Sequence, residues 1–537
     1  YLKLKKIFKK NKEDEKLRFN IAVIEQSLNL NEEAKLNYKF LIKNSLNIKA
    51  MTNLYQIYIK EDNFIEALNL INKILENNNF QDTVKDKAFV LYKLNKFDES
   101  IKICKNFLLT NNDVFFMNII GLNCFAKNEF DKAELIFKKA LLIDKNNPIL
   151  LNSLGRFYHE RRDSKNAEKY LLKAFEIKRD SYEIINNLAG FYREEANYEK
   201  SIELYNKALI INPNNPAIIN NLAKVYFDID NLKLAKKYCL EALSLNKEDG
   251  NIQKILSLIY IRENNYKDGW PLFDGRLKLS DFAEKNNSLD KIRNKLVYNN
   301  RLGKNSKLLI LREQGIGDEI LYGTMYPDLL KYFKDVSIEC DSRLKNIFKK
   351  SFPKYENSFV DLGMISQNEE ALKEYDYVMY AGSLGRFYRN NINDFSNGCY
   401  LEVDSKIYKE INNDLKNLKE KFNVGISWKS FKNRYALEKS LILEDLNKIF
   451  NTKNCNFINL QYGNVEDEIK KFNSNNNKKL ISIKNIDLFN DFDKLAALLK
   501  NLDLFISVSN STAHLAGSLG VKTLLIKPKN HAIFHYW

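Results

Sequence analysis

Apolar positions in the first half of the chain recur with a helical period, and that pattern itself repeats. Leu154, Leu188, Leu222 and Leu256 stand 34 residues apart, as do Tyr158, Tyr192, Tyr226 and Tyr260, and Ala140, Ala174, Ala208 and Ala242. A fourth column, Ala133, Ala167, Ser201, Ala235 and Gly269, keeps a small residue once per period, and steps of 33 carry it back to Ser100, Ala67 and Ala34. Small side chains let two helices cross closely while the Leu and Tyr columns fill the seam. One helix-turn-helix unit per period follows, with roughly seven or eight units over about residues 16 to 280. Such units stack into an all-α solenoid with a concave groove, which suits a protein or peptide partner as well as a spacer or dimerisation role. His159 and the Tyr column belong to this scaffold.

Beyond residue 280 the period is lost. Only four of the 18 glycines (Gly121, Gly155, Gly190 and Gly250) precede Gly269, so the second half holds the turns of a strand-rich fold. Short apolar runs alternate there with helical patterns: KLLILR, VSIEC, SFVDLG and YDYVMYAG in one series, then NVGISW, CNFINLQ, KLISI, LDLFISVS and KTLLIKP. Alternation of this kind predicts parallel sheets covered by helices, here two Rossmann-like α/β domains with a cleft at the carboxyl ends of their strands. The expected boundaries are a solenoid over 1–280, a linker over 281–305, a first Rossmann-like domain over 306–405, a helical connector over 406–422 and a second domain over 423–537.

Composition changes this picture little. Apolar residues make up 45% of the 537-residue chain, ample for several cores. The formal net charge of +16 comes from Lys interspersed with Glu and Asp rather than from a basic stripe, so nucleic acid is not expected as a partner. Six scattered cysteines form no C-x-x-C pair and read as reduced thiols, not as a disulfide framework or a zinc site. No signal peptide or membrane-spanning run is visible, which predicts a cytoplasmic protein. Tyr1 as first residue and the unfinished run His531 to Trp537 predict a chain cut short at both ends.

Two turns carry candidate chemistry. LLILREQGIGDEI, Leu308 to Ile320, runs from a strand through Gly315 and Gly317 into a helix with Asp318 in its first turn. The glycines permit close backbone approach, but Ile320 stands where a dinucleotide fingerprint has its third glycine. By local chemistry alone, Asp318 reads as an ordinary acid at a helix N-terminus. The second turn, Ser509 to Thr512, leaves the strand Leu502 to Val508 and opens the helix carrying His514. Ser511, Thr512 and the first helical amides suit a diphosphate; the same residues also read as a helix cap over a buried histidine.

The repeats, clearest in NNLAGFYREEANYEKSIELYNKALIINPNN from Asn186 to Asn215, resemble the tetratricopeptide repeat. EQGIGDEI, VGISWKS, LQYG and DFDKLAALLKNLDLFISVSNSTAHLAGSLG follow one another as in bacterial tetratricopeptide-repeat glycosyltransferases related to the ADP-heptose:lipopolysaccharide heptosyltransferases, of the glycosyltransferase family 9 type. The GW…DGR exit from the repeats, at Gly269 to Arg276, looks like that family too. The resemblance implies a GT-B fold, with an acceptor on the first Rossmann-like domain and a nucleotide-diphosphate sugar on the second. It implies Asp318 as general base in an inverting transfer, and Ser511, Thr512, Ala513 and His514 as the donor diphosphate turn. Lys439, beside Ser440, falls near the donor phosphates, and Ser427 and Trp428 end the strand beneath them. Expulsion of a nucleotide diphosphate needs positioned positive charge and amide dipoles, which a helix N-terminus, His514 and Lys439 supply; no divalent metal and no cofactor are expected. Glu339 to Asp341 is expected to end a strand rather than to hold an ion.

The chain departs from the family at two places near the donor. Lys494 and Leu495 stand where an Asp-Thr pair is usual, and Ser509-Asn510-Ser511 replaces Asp-Thr-Ser. The first reading is therefore transfer of a sugar to a protein or cell-surface glycan. The alternative is a repeat scaffold or adaptor with a degenerate, non-catalytic transferase domain. A nicotinamide-dependent dehydrogenase using Gly315, Gly317 and Asp341 leaves the second sheet unexplained.

Overall fold

The computed structural model describes residues 14–527 apart from 46, 77–79, 110–111, 280–281, 283–291, 298–301, 396–397, 419, 432–438 and 478. Much of the expected linker and the run His531 to Trp537 lie outside the described residues.

Among the described residues, the first half is eight antiparallel helix pairs, from Glu15–Ser27 with Asn31–Asn44 to Gly250–Arg262 with Tyr266–Phe273. The small-residue column sits where the two helices of each pair cross: Ala34, Ala67, Ser100, Ala133, Ala167, Ser201 and Ala235 are all fully buried. Where the column is serine, the hydroxyl stays satisfied by donating back across the pair, Ser100 Oγ to Ala88 O and Ser201 Oγ to Ala189 O, each at 2.8 Å. The four leucines and the four alanines of the other columns are buried as well.

The turns obey the same period. Asn29, Asp62, Asn95, Asn128, Arg162, Ala196, Asp230 and Asn264 each close a helix pair's internal turn with φ between 55 and 64°. Six of the eight are Asn or Asp, the side chains that tolerate this left-handed backbone best. The following helices are capped from the sequence as well: the side chains of Asn147, Ser181, Asn215 and Asp249 each accept from amides in the first turn of the helix they precede. The chain forms two compact units, one ending at Pro213 and one starting at Asn214, so the last two helix pairs belong to the unit that contains the sheets.

That second unit holds two parallel sheets. The first has β1 (Lys307–Leu311), β2 (Asp335–Cys340), β3 (Phe359–Asp361) and β4 (Tyr377–Tyr380) in the order β3-β2-β1-β4. The second has β5 (Phe422–Ser427), β6 (Cys455–Asn459), β7 (Leu480–Ile481), β8 (Leu504–Val508) and β9 (Thr523–Ile526) in the order β7-β6-β5-β8-β9. All nine strands expected from the apolar runs are present, and the fold is a helical repeat array followed by two Rossmann-like α/β layers. In each sheet the strand order reverses once, between β1 and β4 and between β5 and β8. Crevices for ligands open at such reversals. The turn with Gly315 and Gly317 follows β1, and the Ser/Thr turn follows β8.

The expected connector comes out shorter, and the stretch after the first glycine turn is broken by a proline. The run from Asp318 to Phe333 breaks into Ile316–Gly323 and Tyr326–Tyr332, because Pro327 lacks an amide hydrogen and fits only a first turn. The connector is a helix over Ser405–Asp414 and a short turn over Lys416–Leu418, and Phe422 already begins β5. Glu339 ends inside β2, where its buried carboxylate accepts from the amides of Gly363, Ile365 and Ser366 and from the Ser366 hydroxyl.

Candidate functional site

The helix Ile316–Gly323 starts at Gly315, whose amide donates to Asp318 Oδ2 at 3.0 Å. Asp318 thus caps its own helix, as its position in the sequence suggests, and it is buried. The backbone just before it is strained: Gln314 has φ of 62°, and its side chain donates to the Tyr322 hydroxyl at 3.4 Å.

On the other sheet, Asn510 caps the helix Ser511–Ser518, its Oδ1 accepting from the Ala513 amide at 3.1 Å. Its Nδ2 donates to Ser427 Oγ at 2.7 Å, and that hydroxyl donates to Gln461 Oε1 at 3.0 Å. Gln461 Oε1 also accepts from the amides of Trp428 and Lys429 at 2.8 and 2.6 Å. Asn510, which stands where the resembled glycosyltransferase pattern has Thr, is therefore the cap of the turn and ties it to the ends of β5 and β6. Ser427 and Trp428 lie beneath the turn as its seat. Trp428 is fully buried with its indole N–H given to Glu468 at 3.1 Å, and Ser427 is buried within the network just described. Lys439 is half-buried beside Ser440, whose hydroxyl accepts from the Ser430 amide at 3.1 Å.

The two turns abut. A methyl group on Gly317 would lie 2.9 Å from His514 Cδ2 and 3.5 Å from Ser511 Cα, so the imidazole packs directly on the glycine backbone. Absence of a side chain at Gly317 is what permits this approach. Tyr400 braces the same pair of helices: its hydroxyl donates to Ile320 O at 2.5 Å, and its amide donates to Ser518 O at 3.1 Å. Thr512 is buried, and its Oγ1 has no hydrogen-bond partner among the described residues.

A cavity of about 510 Å³ lies at the carboxyl ends of β6 and β7, lined by Gln461, Tyr462, Gly463, Ile483, Asp487 and Phe489 among others. The Tyr462 hydroxyl is hydrogen-bonded to Ser511, which joins this cavity to the Ser/Thr turn. Tyr462 packs between the rings of Phe431 and Phe489, at centroid separations of 5.5 and 5.9 Å. Sequence reasoning placed LQYG in the second domain but assigned no role to Tyr462, Phe489 or Tyr400. An aromatic residue just after a strand in such a sheet was the available signal for Tyr462. Nothing in the sequence marks Tyr400, which acts across the two sheets.

The first sheet faces this region with a buried charged cluster. Glu319 Oε2 lies 3.0 Å from Arg312 Nε, and Glu319 Oε1 accepts from the Asp341 amide at 2.9 Å. Burial pushes the Glu319 carboxyl up to about 7, although Arg312 opposes the shift. Burial works the same way on Asp341, but bonds from Arg343, then the charge of Arg312, outweigh it and hold that carboxyl below its ordinary value. Arg343 also reaches the second sheet's domain, donating to Phe489 O at 3.3 Å with its guanidinium 5.2 Å from that ring's centroid.

The family models that match lie in the helical half. The tetratricopeptide-repeat model matches residues 150–181 and 216–249, and a TPR-repeat model matches 191–230. The helical half is a tetratricopeptide-repeat array. Protein FlbA of Caulobacter vibrioides is 28% identical over 235 residues, which is 42% of this chain and 39% of FlbA, so the match spans well under half of that relative. Among solved structures, PilF of Pseudomonas aeruginosa is 20% identical with a TM-score of 0.28, covering 33% of this chain and 89% of PilF. YrrB, described as a TPR protein with an unusual peptide-binding site, is 18% identical with a TM-score of 0.26, covering 34% and 94%. A tetratricopeptide-repeat protein of Parabacteroides merdae is 13% identical with a TM-score of 0.34, covering 46% and 98%. Among the described residues, no helix is long and apolar enough to cross a membrane.

Proposed function

We propose that the α/β half is a GT-B-type glycosyltransferase, moving a sugar from a nucleotide-diphosphate donor to a hydroxyl of a protein or cell-surface glycan. The observation that carries the reading is the abutment of the Asp318 turn on the Ser511–His514 turn, beside a cavity large enough for a nucleoside. Buried Thr512 Oγ1, without a protein partner among the described residues, and the amides opening the helix Ser511–Ser518 suit the diphosphate. Lys439 adds positive charge to it, and the His514 imidazole offers a hydrogen bond. Tyr462 and Phe489 flank the space for the base, with stacking as the expected contact.

In the proposed reaction Asp318 accepts the proton of the acceptor hydroxyl. The freed oxygen pair forms a bond to the anomeric carbon as the bond from that carbon to the diphosphate oxygen breaks. Its electrons leave with the nucleoside diphosphate, and the carbon is inverted. The repeats, on this reading, bind a polypeptide partner.

Calorimetric titration of the full chain with a panel of nucleoside diphosphates and nucleotide sugars tests this. One of them is expected to bind saturably, with affinity about tenfold or more weaker in His514→Ala, as loss of a charge-assisted contact gives. Asp318→Asn is expected to retain that binding and lose transfer. Absence of binding by the folded chain removes the transferase reading and leaves a repeat scaffold with a degenerate α/β region.

A further inference from the structure

The exit of the repeats is wired into the turn that carries Asp318. Directly after the last repeat helix, Arg276 is 1% exposed and donates all five of its guanidinium hydrogens. Nε and Nη2 grip Glu313 Oε2 and Oε1 at 2.6 and 2.7 Å; Nη1 serves Phe273 O and Asp274 Oδ1 at 3.0 Å each; Nη2 also reaches Ser383 Oγ at 3.0 Å. Glu313 Oε1 accepts the Gly382 amide at 2.6 Å, and Asp274 is held by Ser383 Oγ and Arg386 at 2.6 and 2.7 Å. The cluster holds two cations and two anions and excludes side chains around it. A methyl group on Gly382 would lie 2.5 Å from Glu313 Oε1, and one on Gly275 would lie 2.6 Å from Gln253 Cβ.

A buried ion cluster is a poor means of adding stability, because desolvation of its charges offsets their attraction, yet it fixes geometry in a way apolar packing does not. Its placement shows what it fixes. Glu313 stands one residue before Gln314 with its left-handed backbone, two before Gly315 and five before Asp318. A strained turn persists only where its surroundings over-determine it.

Resting on the transferase reading above, we infer that Arg276 and Glu313 are positioning residues: through the Glu313 carboxylate, the last repeat sets the backbone of the Gly315–Asp318 turn and so the reach of the Asp318 carboxylate toward the acceptor. The last repeat is then part of the transferase's working structure.

The test uses the full chain with Arg276→Lys, Glu313→Gln and Arg276→Ala. In Arg276→Lys and Glu313→Gln, kcat for transfer is expected to fall about 100-fold, as a displacement of about 1 Å at a reacting group gives, with acceptor KM and nucleoside diphosphate affinity within twofold of wild type. Millimolar guanidinium is expected to restore part of the transfer rate of Arg276→Ala without raising its melting temperature. Amide hydrogen exchange over residues 312–320 is expected to speed up at least tenfold in Arg276→Lys, with residues 505–515 unchanged; this readout holds whether or not transfer is found. Unchanged exchange over 312–320 in a folded variant overturns the inference, as does activity lost only in proportion to unfolded protein. If wild type transfers nothing but the exchange change appears, the transferase reading fails while the clamp on the turn stands.

Discussion

At the residue scale, the functional reading turns on a few atoms whose environment has measurable consequences. Glu319 is raised by burial from its ordinary value to about 7, facing Arg312, Asp341, Arg343, Tyr326, Cys340 and Tyr400. Between about pH 4.5 and 7 the folded chain holds this proton more tightly than the unfolded chain does. Its contribution to stability is therefore full at low pH and is lost as pH rises toward 7. Urea denaturation at pH 5, 6, 7 and 8 should show wild type losing stability relative to Glu319→Gln up to about pH 7 and running parallel above it; parallel curves throughout would refute the assignment. Gly317→Ala places a methyl group 2.9 Å from the His514 ring, so one of the two turns must move. The expected loss is about 1–3 kcal/mol in chemical denaturation, together with weaker nucleotide binding in calorimetry.

At the element scale, the repeat turns offer the sharpest check of local physics. Ala196 adopts φ of 57° at a position where six of its seven counterparts are Asn or Asp. A residue with a Cβ and no helpful polar group pays about 1–2 kcal/mol in that region, against about 0.5–1 kcal/mol for the extra chain entropy of glycine. Ala196→Gly is thus expected to stabilise the array by up to about 1 kcal/mol, read as a higher urea midpoint with an unchanged slope. Glycine is required elsewhere for the opposite reason. A methyl group on Gly121 would sit 2.5 Å from the Phe137 ring inside a helix pair, and Gly121→Ala should cost about 1–3 kcal/mol by the same measurement.

At the scale of the whole molecule, the repeats do not end where the compact units divide. The unit starting at Asn214 takes in two helix pairs together with both sheets, and it contains Asp274 and Arg276. A fragment starting at Asn214 is expected to unfold cooperatively in circular dichroism and to bind the same nucleoside diphosphate as the full chain. A fragment starting at residue 281 leaves Glu313 buried without its guanidinium and is expected to melt without a cooperative transition. Nucleotide at 100 times its dissociation constant should stabilise the Asn214 fragment by about 2.7 kcal/mol, visible as a thermal shift.

The sequence by itself determined the repeat period, the nine strands and the order of the two halves, because each rests on short-range patterns: small and apolar columns, caps, turn residues and short apolar runs. It also marked Asp318, Ser511, Thr512 and His514 as the polar residues of two turns, since a strand that breaks into a Gly-rich or hydroxyl-rich helix start is visible locally. What it left open was whether those turns meet, because Gly317 and His514 are separated by most of the α/β half and approach only when both sheets are formed. The same holds for Arg276 and Glu313, for Tyr400 between the two helices, and for Tyr462 beneath Ser511. Each joins residues far apart in sequence, and no local pattern encodes such a pair. Only the packing of sheets, with glycine at the points of closest approach, decided them.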